Sequence, residues 1–358
     1  MVKTVPDGLK PGSDVANLSA MGYDPLKCYT GRSPLEAVSI GFQMEDTDVA
    51  FRCNLVTLSD EAEYAEKTMV DYSSGEITTA EAAELIRAVD AAFRTDEILF
   101  YPGISYRHCM IWHQGPVGLN LTPPHDISDR KITEYLPQNP VILDLMKRSY
   151  EILKDHPVNR DRIARGLNPA NSIWLWGEGT RPGVTGFEAA YGVKASVISA
   201  VDLIKGIGLC AGMKVIEVEG ATGNIDTNFK GKGEAALKTL LDGQDLVYIH
   251  VEAPDECGHH GDLEGKIQAI ERIDQDIVGP LLKGLEEAGE DYSILVMPDH
   301  PTPISIKTHI SDPIPYLLYC STDVTDSGID TYTEKTGEST GVYVEPGYLL
   351  MQQLLKNK

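Results

Sequence analysis

The sequence predicts an α/β protein, a mainly parallel sheet covered by helices on both faces and interrupted by a smaller α+β domain. Three observations carry this expectation. From residue 171 onward, Val/Ile-rich runs alternate with helix-like segments, the rhythm of a parallel sheet. Residues 48–168 break that rhythm. The length of 358 residues exceeds what one hydrophobic core usually holds.

Taken in order, "PGSDVANLS" places Ser13 in a Gly-led turn before a helix-like run. In the middle, "DTDVAFRCNLVTLS" and "EILFYPGISYRHCMIWHQG" suggest antiparallel strands, and "NPVILDLMKRSYEILKDHPVNRDRIARG" suggests amphipathic helices. Then "NSIWLWGEG" reads as strand and turn, "ASVISAVDLIKGIGLCAG" as strand and short helix, and "KVIEVEG" as strand. "GEAALKTLLDG" follows as helix, "DLVYIHVEAPD" as strand, "EGKIQAIERIDQDIVGPLLKGLEEAG" as one long helix, and "YSILVMPDH" as strand. The expected domains are a core of residues 1–47 and 169–358 and an inserted domain of residues 48–168.

Lys and Arg number 31 against 54 Asp and Glu, a formal charge of −23, which argues against nucleic acid as a partner. No apolar run reaches the roughly 18–20 residues of a membrane helix, and "MVKTVPDGLKPG" lacks a signal-peptide core. Six cysteines without CxxC spacing read as reduced thiols, so a cytoplasmic enzyme is expected.

Sheets of this class carry their chemistry at the carboxyl ends of strands. There the chain sets Asp255 and His259 in "APDECGHHGD", Asp299 and His300 in "MPDHPTP", and His309 in "IKTHISDPIPYLLY". Singly, each is as well explained by a turn or a structural histidine. Jointly, at loop positions after strands, they suit Mn²⁺ or Zn²⁺, and two such ions about 3.5–4 Å apart clamp the oxygens of a phosphoryl transfer. A hydroxyl held against one ion becomes a nucleophile. Ser13 is the candidate, although a helix N-cap beside Asp14 would explain it equally.

Together, "PGSDVANLS", "DECGHHGD", "MPDHPTP" and "KTHISDPIPYLLY" resemble the archaeal-type cofactor-independent (2,3-bisphosphoglycerate-independent) phosphoglycerate mutases of the alkaline phosphatase superfamily. "FRCNLVTL", "RGLNPANSIWLWG", "DLIKGIG", "VEGATGN" and "GKGEAAL" extend the resemblance along essentially the whole chain. It implies an alkaline-phosphatase-like core with an inserted substrate-binding cap. It also implies interconversion of 3- and 2-phosphoglycerate, a step of glycolysis and gluconeogenesis, through a phosphoserine. Two divalent ions are implied, Mn²⁺ or Zn²⁺ with Mg²⁺ or Co²⁺ as alternates, and no 2,3-bisphosphoglycerate. By this resemblance Ser13 is the nucleophile. Asp255, His259 and His309 hold one ion, and Asp299 and His300 with Ser13 hold the other. Lys205 in "DLIKGIG" meets the transferred phosphoryl group. Arg52, Arg107, His125 and Asp126 bind substrate, the arginines through a fork that suits phosphate and carboxylate.

Two features depart from the family pattern. Family members begin with a buried strand ending in Asp-Gly, whose Asp ligates the serine's metal. Asp7-Gly8 is only a turn between prolines, so the expectation is a chain lacking that strand, with one metal held weakly. Trp176 stands where an arginine is more usual, so a homoserine kinase-like phosphotransferase is the alternative. A phosphatase or phosphopentomutase-like role stands third, and an inactive metal-binding chain is the alternative from outside enzymology.

Overall fold

The computed structural model describes residues 1–356, which divide into two compact units: Met1–Tyr29 with Gly183 onward, and Thr30–Pro182. The chain begins with two helices of the first unit, α1 (Ser13–Ala20) and α2 (Pro25–Cys28). Val15, Ala16, Leu18 and Ala20 are buried on α1. Asp24 caps α2 by accepting from the Leu26 N–H, with Pro25 at the first helical position, where no amide hydrogen is needed.

The second unit contains α3 (Ser33–Ser39), β1 (Asp48–Leu58), β2 (Met69–Asp71), α4 (Thr79–Phe93), β3 (Ile98–Tyr101), β4 (Arg107–His113), α5 (Pro140–Leu153), α6 (Pro157–Ala164) and β5 (Ser172–Thr180). All its strand pairs are antiparallel: β1 pairs β2, β4 and β5, and β3 pairs β4. Side chains alternate faces along β1. Phe51, Cys53 and Leu55 enter the core with Leu85, Ile86 and Val89 of α4 and with Ile142 and Met146 of α5. Those helical positions follow the 3.6-residue period, and each helix is capped, α4 by Thr78 and α5 by Asn139. On the opposite face, Ala50, Cys109 and Ile111 pack against Ala37 of α3 and Met44.

Both expected domain borders, 47/48 and 168/169, therefore lie inside this unit. The strand 172–180 belongs to its antiparallel sheet rather than to the parallel core, with Leu175 opposite Cys53 and Ile173 opposite Leu55. Its apolar run announces a strand but is silent about the partner, and β1 offers a longer apolar ladder than any core strand.

The first unit resumes with α7 (Phe187–Tyr191), β6 (Ala195–Ile198), α8 (Asp202–Cys210), β7 (Lys214–Val215), α9 (Phe229–Leu241), β8 (Leu246–Ile249), α10 (Ala253–His260), α11 (Leu263–Arg272), α12 (Gly279–Ala288), β9 (Ser293–Val296), β10 (Leu317–Cys320), α13 (Glu334–Ser339) and α14 (Leu349–Leu355). Parallel pairing joins β7, β6 and β8 in that order. Among the described residues β9 pairs only β10, and antiparallel, so the sheet is less uniformly parallel than expected. Val197 faces α8, where a Cβ added at Gly208 would lie 2.5 Å from its side chain. Its neighbour Ile198 faces the other way, onto Ala236 of α9 and Leu281 and Leu285 of α12. Helices thus cover both faces of β6. The expected long helix over 264–289 is α11 and α12 joined by a π-helical segment, Ile273–Val278. Pro280 lacks an amide hydrogen for the regular ladder, and the wider turn precedes it.

Candidate active site and metal centre

The ends of β8 and β9, the segment that leads to β10 and the first turn of α1 deliver polar groups to one place. After β8 the chain enters α10 almost at once, with Pro254 in its first turn. Asp255 and His259 therefore share one helix face, rather than standing in a loop as expected, and Asp255 Oδ2 lies 3.3 Å from His259 Nε2. His309, from the segment between β9 and β10, places its Nε2 3.2 Å from Asp255 Oδ1 and 2.9 Å from His259 Nε2. The ligand atoms of these three residues lie within 4.8 Å of one another.

The outer nitrogens bear on what this triad can hold. His259 Nδ1 is 3.0 Å from the Lys307 carbonyl and His309 Nδ1 3.3 Å from the Pro11 carbonyl. A carbonyl only accepts, so both Nδ1 atoms carry hydrogen and both Nε2 atoms turn inward, toward each other and Asp255. Two Nε2 atoms against one carboxylate need a proton or a cation between them, and His309 Nε2–H to Asp255 supplies the proton when no cation is bound. Burial pushes the Asp255 carboxyl up, but hydrogen bonds from His309 and Thr302 outweigh it and hold the group well below the usual carboxylate range. Burial also works against the charged form of His309, and its bond to Asp255 outweighs that and raises its pKa. The donor set of one carboxylate and two oriented imidazoles fits a divalent transition ion.

Beside this triad lie Ser13, Asp299 and His300. Gly12 is the N-cap of α1, and the Ser13 side chain makes no capping bond. Its Oγ lies instead 3.1 Å from His300 Nε2. Asp299, following β9, is fixed through three atoms. Its carbonyl accepts from Thr4 Oγ1 at 2.6 Å, its Oδ1 from the His300 N–H at 2.9 Å, and its Oδ2 from Asn17 Nδ2 at 2.8 Å. Asp299 Oδ2 is 3.4 Å from His300 Nε2. His300 is buried, which lowers its pKa against the opposing charge of Asp299. The Thr302 hydroxyl reaches both Asp255 Oδ1 and His300 Nδ1, the latter at 3.3 Å, and the ring centroids of His300 and His309 lie 3.8 Å apart with the rings tilted by 35°. The structure thus brings together all six residues proposed as metal ligands.

Other groups enter this site that sequence reasoning passed over. His250, just beyond β8, has Nδ1 3.1 Å from Ser199 Oγ. Burial lowers its pKa to about 4, while Asp299, Lys232, Asp255 and His300 all act on it electrostatically. Lys232 of α9 is fully buried and donates to the His250 carbonyl at 3.1 Å. Burial takes its pKa down to about 8. A lysine at an apolar helix position in "GKGEAAL" was the available signal. Lys205, the expected phosphoryl-binding lysine, instead spans both carboxylate oxygens of Glu217 at 2.9 and 2.8 Å.

In the second unit, the four expected substrate residues share one aromatic cluster. The Arg52 guanidinium lies 4.4 Å over the Trp176 ring, with Nε 3.0 Å from Glu36 Oε2. Trp176 donates to Asn54 Oδ1 at 3.0 Å and meets the His125 ring edge-on at 5.4 Å. His125 Nε2 stands 3.6 Å from Asp126 Oδ1. The Tyr72 ring touches both His125 and Tyr106, and Arg107 lies over Tyr106 at 5.4 Å. Burial lowers the Arg52 pKa, with Glu36 opposing.

Comparison with known proteins agrees along the chain. A family model described as 2,3-bisphosphoglycerate-independent phosphoglycerate mutase matches residues 1–159. A Geobacter sulfurreducens protein named probable 2,3-bisphosphoglycerate-independent phosphoglycerate mutase is 50% identical over 99% of this chain and 89% of its own. A Methanosarcina barkeri protein named for the same activity is 52% identical over 91% of this chain and 81% of its own. Among solved structures, a Pyrococcus horikoshii protein matches with a TM-score of 0.78 at 27% identity, over 99% of this chain and 86% of that one. The cofactor-independent phosphoglycerate mutase of Thermoplasma acidophilum matches with a TM-score of 0.62 at 23% identity, over 97% and 86%, a likeness of fold. No helix among the described residues is long and apolar enough to cross a membrane.

Proposed function

Because the chain belongs to the 2,3-bisphosphoglycerate-independent phosphoglycerate mutase family, we propose that it interconverts 3- and 2-phosphoglycerate through a phosphoserine on Ser13, without 2,3-bisphosphoglycerate. The observation that carries this is the placement of Ser13 Oγ 3.1 Å from His300 Nε2. Proton accounting makes that contact directional. Asp255 is ionised, so the Thr302 hydroxyl donates to it and must accept from His300 Nδ1–H. His300 Nε2 is then bare and takes the hydrogen bond of the Ser13 hydroxyl, which leaves the oxygen's lone pairs free for phosphorus.

In the forward direction a bond forms between Ser13 Oγ and phosphorus while the bond from phosphorus to the substrate oxygen breaks, and the Ser13 proton passes to that departing oxygen. The glycerate reorients while bound, and its other hydroxyl takes the phosphoryl group back. Asp255, His259 and His309 would hold one divalent ion, and Asp299, His300 and Ser13 the other. Bound ions of this kind acidify a hydroxyl and neutralise charge on the transferring oxygens. Arg52 and Arg107, with His125 and Asp126, serve the substrate's carboxylate and phosphate. The first unit is read as an alkaline-phosphatase-like core and the second as its substrate-binding cap. The six free cysteines suit a reducing cytoplasm. The homoserine kinase-like alternative drew on Trp176, whereas relatives at about half identity carry mutase names.

The test is a coupled assay with 3-phosphoglycerate and Mn²⁺ or Zn²⁺, beside one with ATP and homoserine. Mutase turnover and an acid-stable phosphoenzyme on Ser13 are expected. Turnover only with ATP and homoserine, or a phosphoenzyme elsewhere, overturns the reading.

A further inference from the structure

The helix that carries Ser13 also carries a fully buried asparagine one turn later, Asn17. All its polar atoms are committed. Nδ2 donates to the Ser13 carbonyl and to Asp299 Oδ2, both at 2.8 Å, and Oδ1 lies 2.6 Å from the Tyr248 hydroxyl. The amide has one workable orientation. Turned over, its oxygen would face a carbonyl and a carboxylate, three acceptors without a hydrogen. Tyr248, on β8, must donate to Oδ1, and its buried hydroxyl stays protonated. A buried amide satisfied on every side is held rigidly.

We infer that Asn17, locked by Tyr248, is a positioning residue that sets the Asp299 carboxylate against the Ser13 backbone. Asp299 Oδ1 is occupied by the His300 N–H and one side of Oδ2 by Asn17, so what remains of Oδ2 points toward His300 Nε2, 3.4 Å away. That nitrogen is also the partner of Ser13 Oγ. One amide therefore ties α1, which carries the nucleophile, to β8 and to the end of β9, which carry the groups around it. Hydrogen bonds to a ligating carboxylate fix its direction as a backbone carbonyl fixes a ligating imidazole. This inference rests on the proposed roles of Ser13 and Asp299.

The experiment is a double-mutant cycle of Asn17→Ser and Tyr248→Phe in the full chain. It reads kcat and KM per folded molecule, and Mn²⁺ affinity from the EPR signal of the free ion. Asn17→Ser should lower kcat and weaken one class of Mn²⁺ binding roughly 10- to 100-fold, with KM near the parent value. Tyr248→Phe should lower both less, and the double variant should match Asn17→Ser, because the tyrosine acts only through the amide. A parent that turns over 3-phosphoglycerate, with Asn17→Ser equal to it in kcat and Mn²⁺ affinity and lower only in thermal midpoint, overturns the inference and leaves the mutase reading standing. A parent without mutase turnover whose Mn²⁺ affinity still falls in Asn17→Ser overturns the mutase reading and supports the positioning role.

Discussion

His259 and His309 meet Nε2 to Nε2 at 2.9 Å, each with its Nδ1 hydrogen given to a backbone carbonyl. Only a proton can separate these nitrogens when no ion is bound, and a bound cation replaces that proton with two bonds. A divalent ion should therefore stabilise the folded chain through mass action, by about 2.7 kcal/mol at a hundredfold excess over its dissociation constant. Mn²⁺ or Zn²⁺ should raise the thermal midpoint and a chelator should reverse it. His309→Ala should abolish most of the rise, and a parent midpoint indifferent to both ions would sink the metal assignment.

Ser13→Ala removes the hydroxyl proposed to carry the phosphoryl group, 3.1 Å from His300 Nε2. Activity should fall to background and no phosphoenzyme should be trapped. Val15, Ala16 and Leu18 hold α1 in place from its buried side and Ser13 caps nothing, so the thermal midpoint should move by under about 1 kcal/mol equivalent. Retained turnover in this variant would refute the nucleophile.

The Thr302 hydroxyl joins the triad to His300 and fixes which His300 nitrogen is bare. Thr302→Val keeps the shape and frees His300 to take the other tautomer. We expect kcat to fall about tenfold, in the range for loss of a hydrogen bond that orients a ligating group, and Thr302→Ser to restore most of it. Equal activity in the Thr302→Val variant would show that the tautomer is set elsewhere.

Why the site was legible while its supports were not follows from where each signal resides. Asp299 and His300 end an apolar run, and Asp255, His259 and His309 stand in short polar stretches beside predicted strands, patterns that show in one dimension. Asn17, Tyr248 and Thr302 sit in stretches that read as ordinary helix, strand or turn, and only contact across the fold reveals their partners. The same limit moved β5. Its apolar run fixed a strand, while the choice of β1 as partner depended on register between residues more than a hundred positions apart, as in Asn54 opposite Trp174. Lys205 shows the converse. Its place was legible, whereas the Glu217 carboxylate that it bonds, twelve positions on, was not.

Lys232 carries the last prediction. Burial lowers its pKa from the ordinary 10.5 to about 8, so between those values the unfolded chain binds a proton that the folded chain has released. Stability from this group therefore rises as pH climbs from about 8 to 10.5, and the cost of burying the cation is fully present at pH 7. A shift of this size corresponds to about 3–4 kcal/mol, part of which the bond from Nζ to the His250 carbonyl offsets. Lys232→Met keeps the apolar stem, removes the charge and leaves that carbonyl unpaired, which costs about 1–3 kcal/mol. At pH 7 the two changes oppose each other, so the midpoint there is a poor readout. The difference in urea stability between parent and Lys232→Met, followed from pH 7 to pH 10, is the decisive one. It should grow in the parent's favour with increasing pH. A constant difference across that range would mean that Lys232 keeps its ordinary pKa and that the pocket around His250 is wetter than its burial indicates.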